Sequence, residues 1–230
     1  MTVVKICGLR TVEDARAAAD AGADVIAFNF YAGSKRYVAP EEARGIVAAL
    51  RAERGSRPLA CGLFVNASPH EVCDTAARCG LDLVQLAGDE PPEHVAAIGL
   101  PALKTFRPAP GEDAAALAAR IALYREAAHS LPPGPLGAPL IPLLDAAVPG
   151  SYGGTGIVGD WHLAADLRTQ YFLAGGLTPE NVGEAMRTVR PWGVDVAGGV
   201  ESSPGVKDAA RVAVFIAAVR DANGEGRTDA

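Results

Sequence analysis

Lys5, Cys7, Asn29, Gln85, Lys104, Asp145 and Asp195 share one property: each lies near the C-terminal end of a short apolar run. An amine, a thiol, an amide or a carboxylate is costly inside a packed apolar environment unless it is paired or serves a ligand. Its recurrence at the same end of several runs therefore points to a site. Residue by residue the alternatives stay open. Lys5 and Asp195 could form a buried structural ion pair, Asn29 and Gln85 could be hydrogen-bonding struts, and Cys7 could be a small core residue.

Glycine-rich segments add a second chemistry. Gly153-Gly154-Thr155-Gly156, Gly175-Gly176 and Gly198-Gly199 follow the last three apolar runs. Loops of this kind let backbone N–H groups come close to an anion, which predicts a phosphate-bearing ligand. Arg36, in Ser34-Lys35-Arg36-Tyr37, offers two parallel donors suited to a carboxylate, although a loop arginine can equally be solvated.

The elements that must hold these residues alternate between short Val/Ile/Leu-rich runs and longer stretches of helical period. Strands are expected at 3–7, 25–29, 59–65, 83–86, 102–106, 140–145, 171–174 and 193–196. Helices are expected at 11–21, 40–51, 68–79, 92–98, 113–129, 161–167, 178–188 and 207–220. Thr11, the Ser68-Pro69-His70-Glu71 capping box and Thr178-Pro179-Glu180 mark three helix starts. Eight βα units in one chain predict an α/β fold of the (β/α)8 TIM barrel type, a single catalytic domain over residues 1–220. In such a barrel the loops after strands seven and eight are a frequent phosphate position, and the site lies at the C-terminal ends of the strands. The period of two along a strand turns Val3, Lys5 and Cys7 inward, and by the same rule Asn29, Gln85, Lys104, Asp145 and Asp195. Residues 221–230 have no apolar face to bury and are expected to be a disordered tail.

With 230 residues, 49% of them hydrophobic, the chain can bury a large core without disulfides. Its 21 Lys and Arg against 27 Asp and Glu give a net charge of −6, which argues against nucleic acid as a partner. The four cysteines, Cys7, Cys61, Cys73 and Cys79, show neither metal-ligand spacing nor a disulfide framework. No 18-residue apolar run and no charged segment leading into one is present, so a cytoplasmic protein without a membrane partner is expected. Nothing suggests a second domain fused within these residues. The oligomeric state is left as monomer or homodimer.

Lys5-Ile6-Cys7-Gly8-Leu9, Ser34-Lys35-Arg36-Tyr37-Val38, Leu63-Phe64-Val65-Asn66, Val84-Gln85-Leu86, Leu144-Asp145, Gly153-Gly154-Thr155-Gly156, Ala174-Gly175-Gly176-Leu177 and Gly193-Val194-Asp195-Val196 occur in this order. Together with Gly199-Val200-Glu201 they resemble the phosphoribosylanthranilate isomerase family of tryptophan biosynthesis over about residues 3 to 220. The resemblance implies a cofactor-free, metal-free barrel that carries out an Amadori rearrangement of a small phosphorylated substrate. It makes Cys7 the general base and Asp145 the general acid, Arg36 the ligand of the anthranilate carboxylate, and the Gly175-Gly176 and Gly198-Gly199 loops the phosphate cradle. Gly154 and Asp195 complete the expected substrate-binding set. A thiolate base calls for a nearby cation such as Lys5 or Arg36, and a carboxylic acid for an apolar or anion-facing setting.

The chain departs from the family pattern at Ala87, where His is common, at Ala197-Gly198, where Ser-Ser is common, and at Lys35, where Pro is frequent. The Ala197-Gly198 change keeps backbone donors and removes hydroxyls, so it bears on phosphate affinity. Two other functions fit the same motifs: a related or bifunctional barrel isomerase of another aminoaldose phosphate, and a non-catalytic barrel that binds a phosphorylated ligand.

Overall fold

A computed structural model describes residues 1–145, 161–167 and 169–225. Eight parallel strands close into a barrel in chain order: β1 (Val3–Cys7), β2 (Val25–Asn29), β3 (Leu59–Phe64), β4 (Leu83–Leu86), β5 (Ala102–Phe106), β6 (Leu140–Leu144), β7 (Phe172–Leu173) and β8 (Gly193–Val196), with β8 pairing back onto β1. A helix follows each strand: α1 (Val12–Asp20), α2 (Pro40–Arg54), α3 (Pro69–Cys79), α4 (Pro92–Ile98), α5 (Ala114–Ala127), α6 (Trp161–Ala165), α7 (Val182–Val189) and α8 (Ala209–Glu225). This is the (β/α)8 barrel that the alternation of runs predicts. The strands are covered on both faces, which is why they read as nearly continuous apolar runs. No helix among the described residues is long and apolar enough to cross a membrane.

Local capping explains several helix starts. Thr11 Oγ1 accepts from Asp14 N at 3.0 Å. Ser68 Oγ accepts from Glu71 N at 3.3 Å while the Glu71 carboxylate accepts from Ser68 N at 3.0 Å, so two backbone donors are satisfied reciprocally. The third expected start fails. Asn181 accepts from Thr178 N at 2.8 Å and donates to the Gly176 carbonyl at 2.9 Å, which closes a turn and delays α7 to Val182.

The last helix also differs from expectation at both ends. Lys207 lies in a hairpin of β9 (Glu201–Ser203) and β10 (Val206–Lys207), not in the helix, and Ser203-Pro204-Gly205 supplies its turn. At the other end α8 runs on to Glu225, five residues into the segment expected to be a tail. Asn223 ties that end down: it accepts from Thr2 Oγ1 at 2.9 Å and donates to the Val219 carbonyl at 2.9 Å.

Inside the barrel, Cys7, Val25, Ala27, Leu59, Cys61, Leu63, Leu83, Ala87, Leu103, Ile141, Leu143, Phe172 and Ala174 pack together. Val4, Ile6, Ile26, Phe28, Phe106 and Val194 belong to the layer between strands and helices. The expected inward phase is therefore correct for β1, β2, β4, β6 and β8. It is wrong for Lys104. On β5 the inward residues are Leu103 and Thr105, the latter accepting from Gln85 Nε2 at 3.1 Å. Lys104 points to the helical layer, where its Nζ lies 2.6 Å from Glu90 Oε2, 2.8 Å from the Gly88 carbonyl and 5.6 Å from the centre of the Tyr124 ring. The buried amine has its own buried carboxylate, so it needs no ligand.

Candidate active site

A cavity of about 550 Å³ opens at the C-terminal mouth of the barrel, within the range of small-molecule sites. Cys7, Asn29, Arg36, Gln85, Asp145, Gly175, Gly176, Asp195, Gly198 and Gly199 all line it. The structure thus brings together these expected site residues; Lys104 points away from the cavity, Lys5 lies beneath it, and Gly154 lies outside the described residues.

Cys7 ends β1 and is 4% exposed. Burial pushes its thiol above the ordinary value; Lys5, Lys207 and Arg36 pull the other way and Asp195 adds to the rise. Below it, Lys5 Nζ is 2.8 Å from Asp195 Oδ1, and the two residues are cross-strand partners in the β1–β8 register. Burial disfavours the Lys5 charge, and the Asp195 carboxylate, with smaller contributions from Cys7 and Cys61, outweighs it, so Lys5 stays protonated. A further interior thiol, Cys61, is pushed up to about 12 by burial and is inert as a nucleophile.

Asp145 follows β6, and its N–H donates to the Phe106 carbonyl at 3.1 Å. Among the described residues a cation stands near it: Arg107 Nη2 is 3.7 Å from Asp145 Oδ2, while Arg107 Nη1 donates to the Ala87 carbonyl at 2.9 Å.

Arg36 is neither solvated nor free to clamp a ligand with its whole fork. Its Nε and Nη2 donate to Glu201 Oε1 and Oε2 at 2.7 and 2.9 Å. Lys207 Nζ donates to Glu201 Oε1 at 2.9 Å from the other side. Asn29 organises the loop that carries Arg36: it accepts from Tyr31 N at 2.9 Å and donates to Ser34 Oγ at 3.1 Å, which in turn accepts from Arg36 N. Gln85 Oε1 is buried with no hydrogen-bond partner among the described residues.

The two glycine pairs do different work. Gly175 and Gly176 have φ of +85° and +69°, a region that other residues rarely adopt, and no described group accepts from their amides. Gly199 is required by the protein itself: a Cβ there would lie 1.9 Å from the Leu177 carbonyl oxygen. Its smallness lets the loop after β8 pack against the loop after β7, a reason distinct from the anion approach expected of it.

Comparison with known proteins places the chain in a family. The family model for N-(5'phosphoribosyl)anthranilate (PRA) isomerase matches residues 4–218. The N-(5'-phosphoribosyl)anthranilate isomerase of Geobacter sulfurreducens is 49% identical over 220 residues, covering 94% of this chain and 97% of that protein. The crystal structure of phosphoribosyl anthranilate isomerase from Thermotoga maritima superposes with a TM-score of 0.80 at 35% identity, covering 96% of this chain and 100% of that one. A phosphoribosyl anthranilate isomerase solved in complex with reduced 1-(o-carboxyphenylamino)-1-deoxyribulose 5-phosphate superposes with a TM-score of 0.76 at 34% identity over 96% of this chain and all of that one. The chain belongs to the N-(5'-phosphoribosyl)anthranilate isomerase family.

The charged residues Arg107, Glu201 and Arg211 also line the cavity, and Lys207 stands behind Glu201; the family motifs singled out none of them for a role. Arg107 follows from period two only once the phase of β5 is known, since Leu103 and Thr105 face inward and Arg107 continues their row. The Pro204-Gly205 turn flanked by Glu201 and Val206 carried a hairpin signal that would have placed Lys207 back beside Glu201.

Proposed function

We propose that this chain catalyses the isomerisation of N-(5'-phosphoribosyl)anthranilate to 1-(2-carboxyphenylamino)-1-deoxyribulose 5-phosphate in tryptophan biosynthesis, with Cys7 as general base and Asp145 as general acid. The observation that supports it most is one cavity that holds four chemistries together: the Cys7 thiol, the Asp145 carboxyl, the Arg36 guanidinium and the Gly175-Gly176 loop. A substrate with a carboxylate at one end and a phosphate at the other fits between Arg36 and the glycine loop, with its sugar over Cys7 and Asp145.

Asp145 gives a proton to the furanose ring oxygen, and the C1'–O bond breaks as the anilino nitrogen lone pair forms the C1'=N iminium. Cys7, as the thiolate, removes the C2' proton, and that C–H electron pair becomes the C1'=C2' bond of the enolamine. Protonation at C1' and loss of the 2'-hydroxyl proton then give the ketone. Each proton transfer by a positioned group contributes about 10²–10⁴-fold. Asp195, fixed by Lys5, lines the same cavity and supplies an acceptor for a sugar hydroxyl.

The test is turnover of phosphoribosylanthranilate by the purified protein, followed as loss of substrate fluorescence. Steady loss that scales with protein concentration supports the assignment. No loss above the uncatalysed rate, with phosphorylated product analogue still bound, would identify a binding barrel instead.

A further inference from the structure

We infer that Glu201, backed by Lys207, is a positioning residue that fixes the guanidinium of Arg36 and leaves one of its edges for the carboxylate of the substrate. The inference rests on the assignment of Arg36 to that carboxylate and goes beyond it by naming what aims the group and what leaves the cluster around it with a net positive charge.

Guanidinium has five N–H donors arranged along three edges. Glu201 occupies the Nε–Nη2 edge through both carboxylate oxygens, at 2.7 and 2.9 Å. Two parallel donors remain on the Nη1–Nη2 edge, and no described residue accepts from Nη1. Arg36 can therefore hold Glu201 and a second carboxylate at once, each with a pair of parallel hydrogen bonds.

The aliphatic stem is confined as well. A Cβ at Gly8 would lie 2.6 Å from Arg36 Cδ and 3.1 Å from its Cβ, so the residue after Cys7 must be glycine for the stem to lie where it does. A Cβ at Gly198 would stand 3.1 Å from Nη2. Backbone on two sides and Glu201 on a third fix the plane of the group.

Charge explains the third member. An isolated Arg–Glu pair has no net charge and attracts an anion weakly. Lys207 Nζ, whose side chain is 1% exposed, donates to Glu201 Oε1 and to the Ala197 carbonyl, both at 2.9 Å. Two cations against one carboxylate leave the cluster with one positive charge, which a bound carboxylate neutralises. In the partly desolvated mouth that surplus weighs more than it would in water.

Titration calorimetry with two probes tests this: reduced 1-(o-carboxyphenylamino)-1-deoxyribulose 5-phosphate, and the same compound without the ring carboxylate. The ratio of their Kd values reports what the carboxylate contributes, and a defect in folding or in phosphate binding cancels from it. Arg36→Met should collapse the ratio. Glu201→Gln loses the paired grip on the guanidinium but adds one positive charge to the cluster; charge alone would raise the ratio, so a several-fold fall reports the positioning, and the double variant should be no worse than Arg36→Met alone. If Arg36→Met collapses the ratio and Glu201→Gln leaves it at or above the wild-type value, the positioning role is overturned and the Arg36 assignment stands. If neither changes it, the Arg36 assignment falls and takes the inference with it. Should Glu201→Gln fail to fold, Lys207→Met reads the same ratio: a several-fold drop supports the charge surplus, and an unchanged ratio overturns it.

Discussion

Lys5 and Asp195 face each other across the β1–β8 seam, amine to carboxylate at 2.8 Å, with Cys7 two residues beyond Lys5 on the same interior face. The cation that should favour a thiolate is thus already shared with a carboxylate. Burial wins the remaining contest and holds the Cys7 thiol above its ordinary value.

That balance sets a pH dependence. In its proposed role Cys7 acts as a thiolate, and a raised pKa keeps most of it protonated at neutral pH. Below that pKa the thiolate fraction rises tenfold per pH unit, so the rate of Cys7 alkylation by iodoacetamide, which reads the thiolate without the acid partner, should climb from neutral into alkaline pH. Alkylation rates against pH in wild type, with Cys7→Ser giving the background from the other thiols, check it. A rate at Cys7 that is flat over about pH 6 to 9 would mean that the thiol is already ionised at neutral pH.

Arg36→Met should raise KM and leave kcat less affected, because in its proposed role the group holds a part of the substrate remote from the reacting carbons. Breaking one partner of such a pair costs about 2–5 kcal/mol, much of it from the stranded carboxylates, here Glu201 as well as the substrate. Steady-state kinetics on phosphoribosylanthranilate decides. An unchanged KM would return Arg36 to a purely structural pairing with Glu201.

Gly199→Ala should lower the melting temperature as well as weaken binding of phosphorylated ligands, since its Cβ would press on the Leu177 carbonyl. Overpacking of this kind costs about 1–3 kcal/mol. Thermal unfolding at neutral pH measures it, and a wild-type Tm would show that the two loops separate freely.

Lys104→Met should destabilise the fold by about 3–5 kcal/mol by stranding the buried Glu90 carboxylate. Glu90 also accepts from the Asn66 and Gly88 amides at 2.8 to 3.1 Å, so those bonds stay behind without the cation. Adding Glu90→Gln should recover part of the loss. Urea unfolding of the single and double variants provides the measurement, and equal stability of wild type and Lys104→Met would contradict the pairing.

The positions of β1 to β8 were largely legible, because strands buried on both faces and capped helices leave strong local signals. Phase was legible where one side of a strand carried the polar residues, as with Lys5 and Cys7 or Asp195. In Ala102-Leu103-Lys104-Thr105-Phe106 both sides are mixed, so the single charge misled, and its partner Glu90 lies in a loop 14 residues away. The same limit hid the Arg36–Glu201 contact, which spans 165 residues and depends on barrel closure. Local pattern could not reach the setting of Asp145 either, since Arg107 meets it from a neighbouring strand.

The most direct measurement of the central claim is kcat on phosphoribosylanthranilate for wild type, Cys7→Ser and Asp145→Asn, each shown to be folded. Serine keeps the size of the base but ionises far above neutrality, and asparagine keeps the shape of the acid without its proton. The account predicts turnover by wild type and a loss of about 10²–10⁴-fold in each variant, with binding of the reduced product analogue retained. Wild-type kcat in either variant would contradict the role given to that residue, and wild-type kcat in both would place the chemistry elsewhere in the molecule.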